Sequence, residues 1–456
     1  MLLSNLSYVL ASVLFILGIK KLSHPKTARQ GNALAALGMF IAIIATLLSN
    51  GQIDLKLILI GVLIGSAIGA LFAIKVEMTQ MPQMVAIFNG FGGAASALVA
   101  SAEFLKNGDM STFTVSTIII SVFVGTLTLT GSFIAFGKLQ GFISGQPIVF
   151  PGQQLINAIL ALTLLVVAFL LVQSPGEINY FYYLVAFSAI IGITLTIPIG
   201  GADMPVVVSL LNSYSGVAAA ATGFVLMNNG LIISGALVGA SGLILTNIMC
   251  KGMNRSLANV IFGAVGLKTE ATGNTSGKQI AIKSYSTEEA AMIFDAAEKV
   301  IIVPGYGLAV AQAQHAVREV AEFLESKNKK VLYAIHPVAG RMPGHMNVLL
   351  AEANIPYEQL KDLDEINSEF EDCDVALVLG ANDVVNPAAR HDTSSPIYGM
   401  PILDVDKSRT VIINKRTMNT GFAGIQNELF GFDNSIMVFG DAKDMLQQLL
   451  KDLKDL

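Results

Sequence analysis

Two glycines, Gly305 and Gly307, carry the clearest chemical signal in the sequence. They follow a run of β-branched residues, Val300 to Val303, and precede a stretch in which apolar residues recur every three or four positions. This order predicts a strand, a tight turn and a helix. Such a corner suits a dinucleotide because glycine lets the backbone approach a pyrophosphate and the next helix presents free N–H groups. Val310 stands where the common fingerprint has a third glycine or alanine, so a purely structural glycine turn is the alternative.

The absence of an acidic residue after the second strand indicates which dinucleotide would bind. NAD sites normally end that strand with Asp or Glu, about twenty residues after the glycines, to accept from the ribose hydroxyls. This chain has no carboxylate from Ser326 to Ala351. A 2′-phosphorylated nucleotide is favoured, because a carboxylate would repel its phosphate. Arg341 and the adjacent Lys415 and Arg416 are candidates to bind phosphate, and a solvated surface charge is the alternative for each.

The composition divides the chain into two parts. Charged residues make up 13% and apolar residues 53% of the 456 residues, whereas an ordinary soluble chain has about 25% charged residues. Residues 1–265 hold ten Lys and Arg and six Asp and Glu, and residues 266–456 hold eighteen and twenty-seven. We expect a membrane domain followed by an acidic soluble domain. The two cysteines, Cys250 and Cys373, indicate no disulfide framework and suit a reducing compartment.

Nine apolar segments are long enough to span a bilayer. They lie near residues 3–19, 33–48, 55–76, 83–102, 113–136, 155–172, 180–197, 205–227 and 231–250. Basic residues concentrate in alternate connections, among them Lys138 after the fifth segment and Lys251 after the last. By the positive-inside rule, the N-terminus is expected outside and the soluble domain in the cytoplasm. The first segment has no basic region before it and no small-residue cleavage site, so we interpret it as a retained helix.

The predicted spans are rich in small residues and poor in ionisable ones. The glycines that predict close helix packing are Gly61, Gly65, Gly69, Gly90, Gly92, Gly93, Gly235, Gly239 and Gly242. No Asp, Glu, Lys or Arg occurs in residues 110–137, 139–175 and 204–250, and no histidine occurs in any span. Ion paths usually need an ionisable group at depth. The polar groups available here are amides and hydroxyls: Asn89, Ser132, Asn212, Ser213, Tyr214, Ser215 and Asn228.

The remainder of the chain has the pattern of an α/β domain. Residues 267–283 are polar, contain glycine and lack periodicity, which predicts a hinge. Ser286 and Glu289 form a capping-box pattern that opens a helix. Strands are expected at residues 300–303, 330–336, 374–379, 410–414 and 435–439. The predicted fold is a multi-pass helical membrane bundle of about nine helices (residues 1–262), a hinge (263–285) and a Rossmann-like, doubly wound α/β domain with a parallel sheet (286–456).

Eight segments, in one order and across essentially the whole chain, carry a family resemblance. They are Ala202–Val208, Leu211–Gly216, Met249–Arg255, Pro304–Gln314, His336–Asn347, Gly380–Asp383, Asn386–Ala389 and Lys415–Gly424. Together they resemble the β subunit of proton-translocating NAD(P) transhydrogenases. The resemblance implies a protein of the bacterial inner membrane. Its membrane domain would conduct protons and its cytoplasmic domain would bind NADP(H). The resemblance also implies a separate α subunit, of one or two chains, that carries NAD(H), and an assembly that is a dimer of αβ units.

The resemblance further implies roles for individual residues. Along the dinucleotide and its phosphates we expect Gly305, Tyr306, Gly307, Val310, Gly340, Arg341, Met342, Gly380, Lys415 and Arg416, the last two at the 2′-phosphate. A flap over the cofactor is expected at Gly421, Phe422 and Ala423, with Phe422 where the family often has tyrosine. Asn382 and Asp383 correspond to a cofactor-contacting pair linked to coupling, and a turn-forming role for Asp383 is the alternative. Candidates for the proton path are Asn89, Asp203, Ser213 and Asn228.

Asn89 departs from the family pattern, which often has a titratable histidine at this position. An amide cannot carry a proton at an accessible pKa. Our hypothesis is that the relay histidine lies on a membrane helix of the α-type partner and faces Asn89.

The reaction implied by the resemblance is hydride transfer between NAD(H) on the partner and NADP(H) on this chain, coupled to proton translocation. Direct hydride transfer needs no protein acid or base, so no catalytic residue is expected. Coupling is expected through affinity, with protonation favouring one domain orientation that binds NADP⁺ and NADPH unequally. Two other classes stay open: an ion channel or transporter regulated by a nucleotide domain, and an anchored NADP-binding protein without transport. Neither a metal nor a nucleic acid partner is expected.

Overall fold

The computed structural model describes residues 2–22, 25–49, 55–106, 110–262, 281–342, 344–393, 395, 397–421 and 423–456. The chain divides into two compact units, residues 1–247 with 258–266 and residues 248–257 with 267–456. Most of the predicted hinge lies outside the described residues, so the hinge stays a prediction.

Long apolar helices make up the N-terminal part of the chain. Among the described residues, nine helices are long and apolar enough to cross a membrane. They are α1 (Leu2–Leu22), α2 (Pro25–Ser49), α3 (Leu55–Lys75), α4 (Met81–Lys106), α5 (Thr112–Gln140), α6 (Gln153–Gln173), α7 (Ile178–Thr196), α8 (Met204–Val225) and α9 (Asn229–Gly252), and the short helix α10 (Leu257–Phe262) follows. All nine predicted apolar segments are confirmed as long helices.

Glycines let two pairs of these helices pack at backbone distance. A side chain at Gly93 of α4 would meet the carbonyl oxygen of Gly125 in α5 at 2.7 Å, and one at Gly216 of α8 would meet that of Gly235 in α9 at 2.8 Å. Close packing through small residues is confirmed for these pairs. In α3, by contrast, no atom of the described chain lies within 4 Å of a side chain built at Gly61, Gly65 or Gly69.

Among its described residues, the second unit contains a parallel sheet of six strands. They are β1 (Lys299–Pro304), β2 (Lys330–Ile335), β3 (Leu360–Asp362), β4 (Val375–Leu379), β5 (Thr410–Lys415) and β6 (Ser435–Phe439), in the order β3-β2-β1-β4-β5-β6. The helices are α11 (Thr287–Ala296), α12 (Tyr306–Val310), α13 (Gln314–Ser326), α14 (His345–Glu352), α15 (Leu363–Ile366), α16 (Ala388–His391) and α17 (Ala442–Asp455). This is the predicted doubly wound fold.

Burial on both faces of the sheet explains the continuous apolar runs of the central strands. Every residue of β4 is buried, as is every residue of β1 after Lys299. Because side chains alternate along a strand, Ile301 and Val303 share one core, which also contains Phe370 and Phe430.

Two features differ from the expected pattern of elements. The edge strand β3 has the sequence Leu-Lys-Asp, and its pairing with β2 (Tyr333 with Leu360) could not be expected from so short and polar a stretch. The helix after the glycines is interrupted, because α12 ends at Val310, Gln312 adopts a left-handed backbone (φ 48°) and α13 begins only at Gln314. The predicted capping box at the start of α11 is confirmed.

Candidate functional site

Three glycines bring the ends of β1 and β4 into backbone contact. The Gly305 N–H donates to the Leu379 carbonyl oxygen at 2.9 Å, and the Gly307 N–H donates to that of Gly380 at 3.0 Å. A side chain on Gly305 would collide with Gly380 and Ala381, and one on Gly307 would lie 2.6 Å from the Gly380 Cα. We call Gly305, Gly307 and Gly380 the glycine crossing. It lies where the chain winds to opposite sides of the sheet, the usual ligand position in this fold.

The reason for glycine differs within the crossing. Gly305 has an extended backbone (φ −118°, ψ −176°), which any residue can adopt, so the close approach of β4 requires it and a sharp turn does not. Gly380 has both constraints, since its φ is +64° and a side chain there would collide with Gly307.

Arg341 follows β2 and lies against the residue between the first two glycines. Its guanidinium carbon is 4.4 Å from the centre of the Tyr306 ring, a cation–π distance. Burial raises the pKa of the Tyr306 hydroxyl, and the nearby Arg341 charge opposes that shift. Gly340 has φ +102°, and Arg341 and Met342 are half-buried. The predicted phosphate residue therefore lies beside the glycine crossing, while Val310 lies at the end of α12 with 44% of its surface exposed.

Lys415 and Arg416 lie at the end of β5, and each already has a protein partner. The Lys415 ammonium donates to the Asn419 carbonyl oxygen at 2.7 Å and lies 4.7 Å from the centre of the Phe430 ring. Burial lowers the pKa of Lys415, and the Asp383 carboxylate opposes that shift. Arg416 Nη2 lies 2.5 Å from Asp441 Oδ2. A bound phosphate would therefore compete with Asp441 for Arg416.

The segment after β5 is tied to the loop after β4 by three residues. Asp383 Oδ2 accepts a hydrogen bond from the Ala423 N–H at 3.0 Å. The Asn427 amide donates to the Asn382 carbonyl oxygen at 3.0 Å, and the Asn386 amide to that of Gln426 at 3.1 Å. A side chain on Gly421 would collide with the Asp383 carboxylate. Gly421 and Ala423 thus lie against Asp383, and Phe422 lies outside the described residues.

Asn382 lines a cavity of about 210 Å³ beside this segment. Asn427 and Phe430 also line it, with Ile282, Met418, Asn419, Thr420 and Gln426. The side-chain oxygen of Asn382 is buried and has no hydrogen-bond partner among the described residues. Buried amide oxygens are normally paired, so Asn382 has an acceptor available for a ligand in the cavity. No sequence pattern points to Asn427, whose role depends on a contact 45 residues away.

In the helical unit, Asn89 joins α4, α5 and α8. Its amide nitrogen donates to Ser132 Oγ at 3.1 Å, and its amide oxygen accepts from Ser215 Oγ at 2.7 Å. We call Asn89, Ser132 and Ser215 the amide–hydroxyl cluster. Its members are neutral, so it can relay hydrogen bonds but holds no titratable group.

The other three membrane candidates lie at different contacts. Ser213 Oγ donates to the Gly239 carbonyl oxygen of α9 at 2.6 Å. The Asn228 side-chain oxygen accepts from the Leu231 N–H at 3.0 Å, as at a helix start. Asp203 is buried immediately before α8. Ser213 and Asn228 therefore bond to α9 and not to Asn89.

Lys138, which the sequence places in the connection after the fifth apolar segment, lies within α5. It lies in the last turn of α5 with 5% of its surface exposed. Its ammonium donates to the carbonyl oxygens of Gln146 (3.1 Å), Ile197 (2.7 Å) and Ile199 (2.8 Å). The last two carbonyls lie between α7 and α8, where the helical hydrogen bonds end. Lys138 therefore satisfies backbone groups at a break between two helices.

The comparison with known families covers both units. A family model described as NAD(P) transhydrogenase beta subunit matches residues 4–452. The chain belongs to the NAD(P) transhydrogenase beta subunit family. It is similar to two proteins from Rhodospirillum rubrum, one assigned to a particular strain, that are both called NAD(P) transhydrogenase subunit beta. Each is 52% identical over 459 residues, which covers 98% of this chain and 98% of the relative.

Membership of the transhydrogenase beta subunit family confirms the resemblance. It makes the chain a subunit of an oxidoreductase, and a beta subunit implies an alpha subunit as its partner. The nine long apolar helices found in the described part of the chain agree with a membrane protein.

Proposed function

We propose that this chain binds NADP(H) in its α/β unit and exchanges hydride with NAD(H) held by the alpha subunit, coupled to proton movement through the helical unit. The observation that supports this most strongly is the position of the glycine crossing beside Arg341 and Lys415, at the carboxyl ends of neighbouring strands. A purely structural glycine turn would not require basic side chains to converge on the same edge of the sheet.

The residues at this edge fit a phosphorylated dinucleotide. The three residues of the glycine crossing have no side chain, so a pyrophosphate can approach their backbone. We assign the pyrophosphate to Arg341 with Gly340 and Met342, and the 2′-phosphate to Lys415 and Arg416. The unpaired oxygen of Asn382 supplies a further acceptor at the cavity.

The end of β2 supports NADP(H) over NAD(H). His336 follows the strand directly and is buried. Its Nε2 lies 2.7 Å from the Pro401 carbonyl oxygen, and its Nδ1 accepts from the Val338 N–H at 3.2 Å. With both ring nitrogens used, His336 cannot replace the carboxylate that binds the ribose hydroxyls in an NAD site.

The protein contributes binding and orientation to this reaction. When bound, NADP(H) supplies the hydride donor or acceptor. Lys415, Arg416 and Arg341 fix the charged groups, and the segment of Gly421, Phe422 and Ala423 covers the site and limits access of water. Asp383 joins that segment to β4 through Ala423, so it is suited to link cofactor binding to movement of the segment. No general acid or base is assigned.

For the proton path we propose that the amide–hydroxyl cluster faces a titratable histidine of the alpha subunit. Asn89 and its two serine partners offer donors and acceptors across three helices, but an amide cannot take up the proton. Asp203, Ser213 and Asn228 remain candidates for other points along the path. The assembly is a dimer of αβ units in the bacterial inner membrane, with the N-terminus outside and the α/β unit in the cytoplasm.

Proteoliposomes that contain this chain with its alpha subunit test the proposal. NADPH together with an NAD⁺ analogue should produce both analogue reduction and a change in lumen pH, and neither nucleotide alone should do so. Reduction without a pH change would indicate an anchored dinucleotide enzyme, and a pH change without reduction would indicate a regulated channel. Replacement of every intramembrane histidine of the alpha subunit should abolish pumping, and full pumping in that variant would contradict the relay assignment.

A further inference from the structure

Arg341 is held at its backbone as well as at its side chain. Its N–H donates to Nδ1 of His345 at 3.1 Å. His345 is the first residue of α14 and has 1% of its surface exposed. The side chain of His345 therefore fixes the backbone of the residue that we assign to the pyrophosphate.

The surroundings of this bond leave room for histidine only because residue 340 is glycine. A side chain on Gly340 would lie 2.5 Å from His345 Nδ1 and 2.7 Å from its Cβ. The φ of +102° at Gly340 also turns the chain so that the next N–H faces the ring. Since Nδ1 accepts this bond, His345 is present as the neutral tautomer with its proton on Nε2.

Tyr306 completes the arrangement from the other side. Its ring centre lies 6.2 Å from that of His345 and 4.4 Å from the guanidinium carbon of Arg341. His345 holds the backbone of Arg341, and Tyr306 holds its guanidinium. Fixing both ends of a flexible side chain before the ligand arrives lowers the entropy cost of binding.

We propose that His345 is a positioning residue for the anionic centre of the dinucleotide, acting through Arg341. The proposal rests on the proposed NADP(H) site and adds to it a residue that does not touch the cofactor. It divides the binding site into two parts that should respond differently to replacement of His345. The pyrophosphate part depends on His345, and the 2′-phosphate part at Lys415 and Arg416 does not.

The test measures the affinity of the full-length protein for NADPH and for adenosine 2′-monophosphate, which carries the 2′-phosphate but no pyrophosphate. His345→Leu should weaken NADPH binding about tenfold, the size of one net hydrogen bond, and leave the monophosphate unchanged. His345→Asn should stay within about threefold of the original affinity, because its amide oxygen can replace Nδ1 as the acceptor. His391→Asn, a surface histidine paired with Glu428, is the control and should have no effect.

Arg341→Ala distinguishes failure of this inference from failure of the proposed function. If Arg341→Ala weakens NADPH binding and His345→Leu does not, the positioning role is wrong and the site stands. If the original protein fails to bind NADPH, or Arg341→Ala has no effect, the assignment of the site is wrong. In the Arg341→Ala background, His345→Leu should have no further effect, and an undiminished additional loss would overturn the proposal. Should His345→Leu fail to fold, His345→Gln replaces it, since its longer side chain carries the amide past the position of Nδ1.

Discussion

The Ala423 N–H donates to Asp383 Oδ2 at 3.0 Å, and this bond joins the segment after β5 to the loop after β4. Asp383 also supports the charged form of Lys415, since its carboxylate opposes the downward shift that burial imposes on the pKa of that lysine. One carboxylate therefore affects both the segment that would cover the cofactor and the cation that would bind its 2′-phosphate.

Replacement of Asp383 by Asn should change the pH dependence of NADPH binding. Lys415 must be protonated to bind phosphate, so affinity falls as the pH rises through the lowered pKa of Lys415. Without the Asp383 charge that pKa drops further, and the loss of affinity should begin at a lower pH. Binding titrations from pH 6 to about pH 10 check this. An unaltered pH profile would show that Asp383 is only a turn former.

Arg416 should contribute to discrimination between NADPH and NADH only through the 2′-phosphate. Because Asp441 already binds Arg416, part of the phosphate interaction is offset by loss of that ion pair. Arg416→Met should weaken NADPH binding about tenfold and leave NADH binding unchanged, whereas Asp441→Asn should strengthen NADPH binding slightly. Equal losses for both dinucleotides would contradict the assignment of Arg416. Calorimetric titration of both variants measures the difference.

Gly380→Ala should destabilise the protein more than the positive φ at this position alone would cause. The new side chain would collide with Gly307, and the backbone of alanine would have to adopt a left-handed conformation. We expect a loss of about 3 kcal/mol in the free energy of unfolding. Gly344→Ala is a matched control, because Gly344 has a similar φ of +68° but no neighbouring atom within 4 Å in the described chain. Its cost should be about 1 kcal/mol, and equal costs in urea denaturation would refute close packing at the crossing.

His336 should make the α/β unit less stable in acid. Burial lowers its pKa from 6.5 to about 4, so the unfolded chain binds a proton below pH 6.5 that the folded chain does not. The contribution of neutral His336 to the free energy of unfolding is fully present above pH 6.5. It is lost as the pH falls towards 4, by about 3 kcal/mol in total. Hydrogen exchange of the β2 amides measures this in the full-length protein. His336→Asn should lack this part of the pH dependence, and an identical slope in the variant would be inconsistent with the buried neutral ring.

Lys138→Met should destabilise the helical unit strongly. The carbonyl oxygens of Gln146, Ile197 and Ile199 lose the bond from the buried ammonium. That of Ile197 keeps a bond from the Ile148 N–H at 3.3 Å and Gln146 is exposed, so the main cost is about 1–3 kcal/mol for the buried Ile199 carbonyl left unpaired. Thermal unfolding in detergent should show a clear fall in Tm. Lys75→Met, at an exposed end of α3, is the control and should leave Tm nearly unchanged. A similar Tm for the two variants would mean that water replaces the ammonium.

The sequence was informative where structure depends on neighbours along the chain. Nine spans, five of six strands and the capping box at Ser286 follow from periodicity and local residue type. The edge strand β3 could not be predicted, because three residues with one apolar side chain have no measurable period. The break at Gln312 was equally hidden, since the apolar spacing continues across it.

Long-range contacts limited the prediction of the site. The sequence places Lys138 in a connection between two apolar segments. Only its hydrogen bonds to the carbonyl oxygens of Ile197 and Ile199 show that it is a buried donor. His345 and Asn427 bond to partners that no local pattern identifies. Gly305 and Gly307, by contrast, indicate a close backbone approach from the sequence alone. The sequence does not show which segment approaches them, because Gly380 is more than seventy residues away.

Titration of the purified full-length protein with NADPH and NADH tests the central claim most directly. A site with Lys415 and Arg416 for the extra phosphate, and no carboxylate at the end of β2, should bind NADPH at least about a hundredfold more tightly, which corresponds to about 2.7 kcal/mol. Replacing both basic residues by Met should remove most of that preference. Equal affinities, or tighter binding of NADH, would contradict the account.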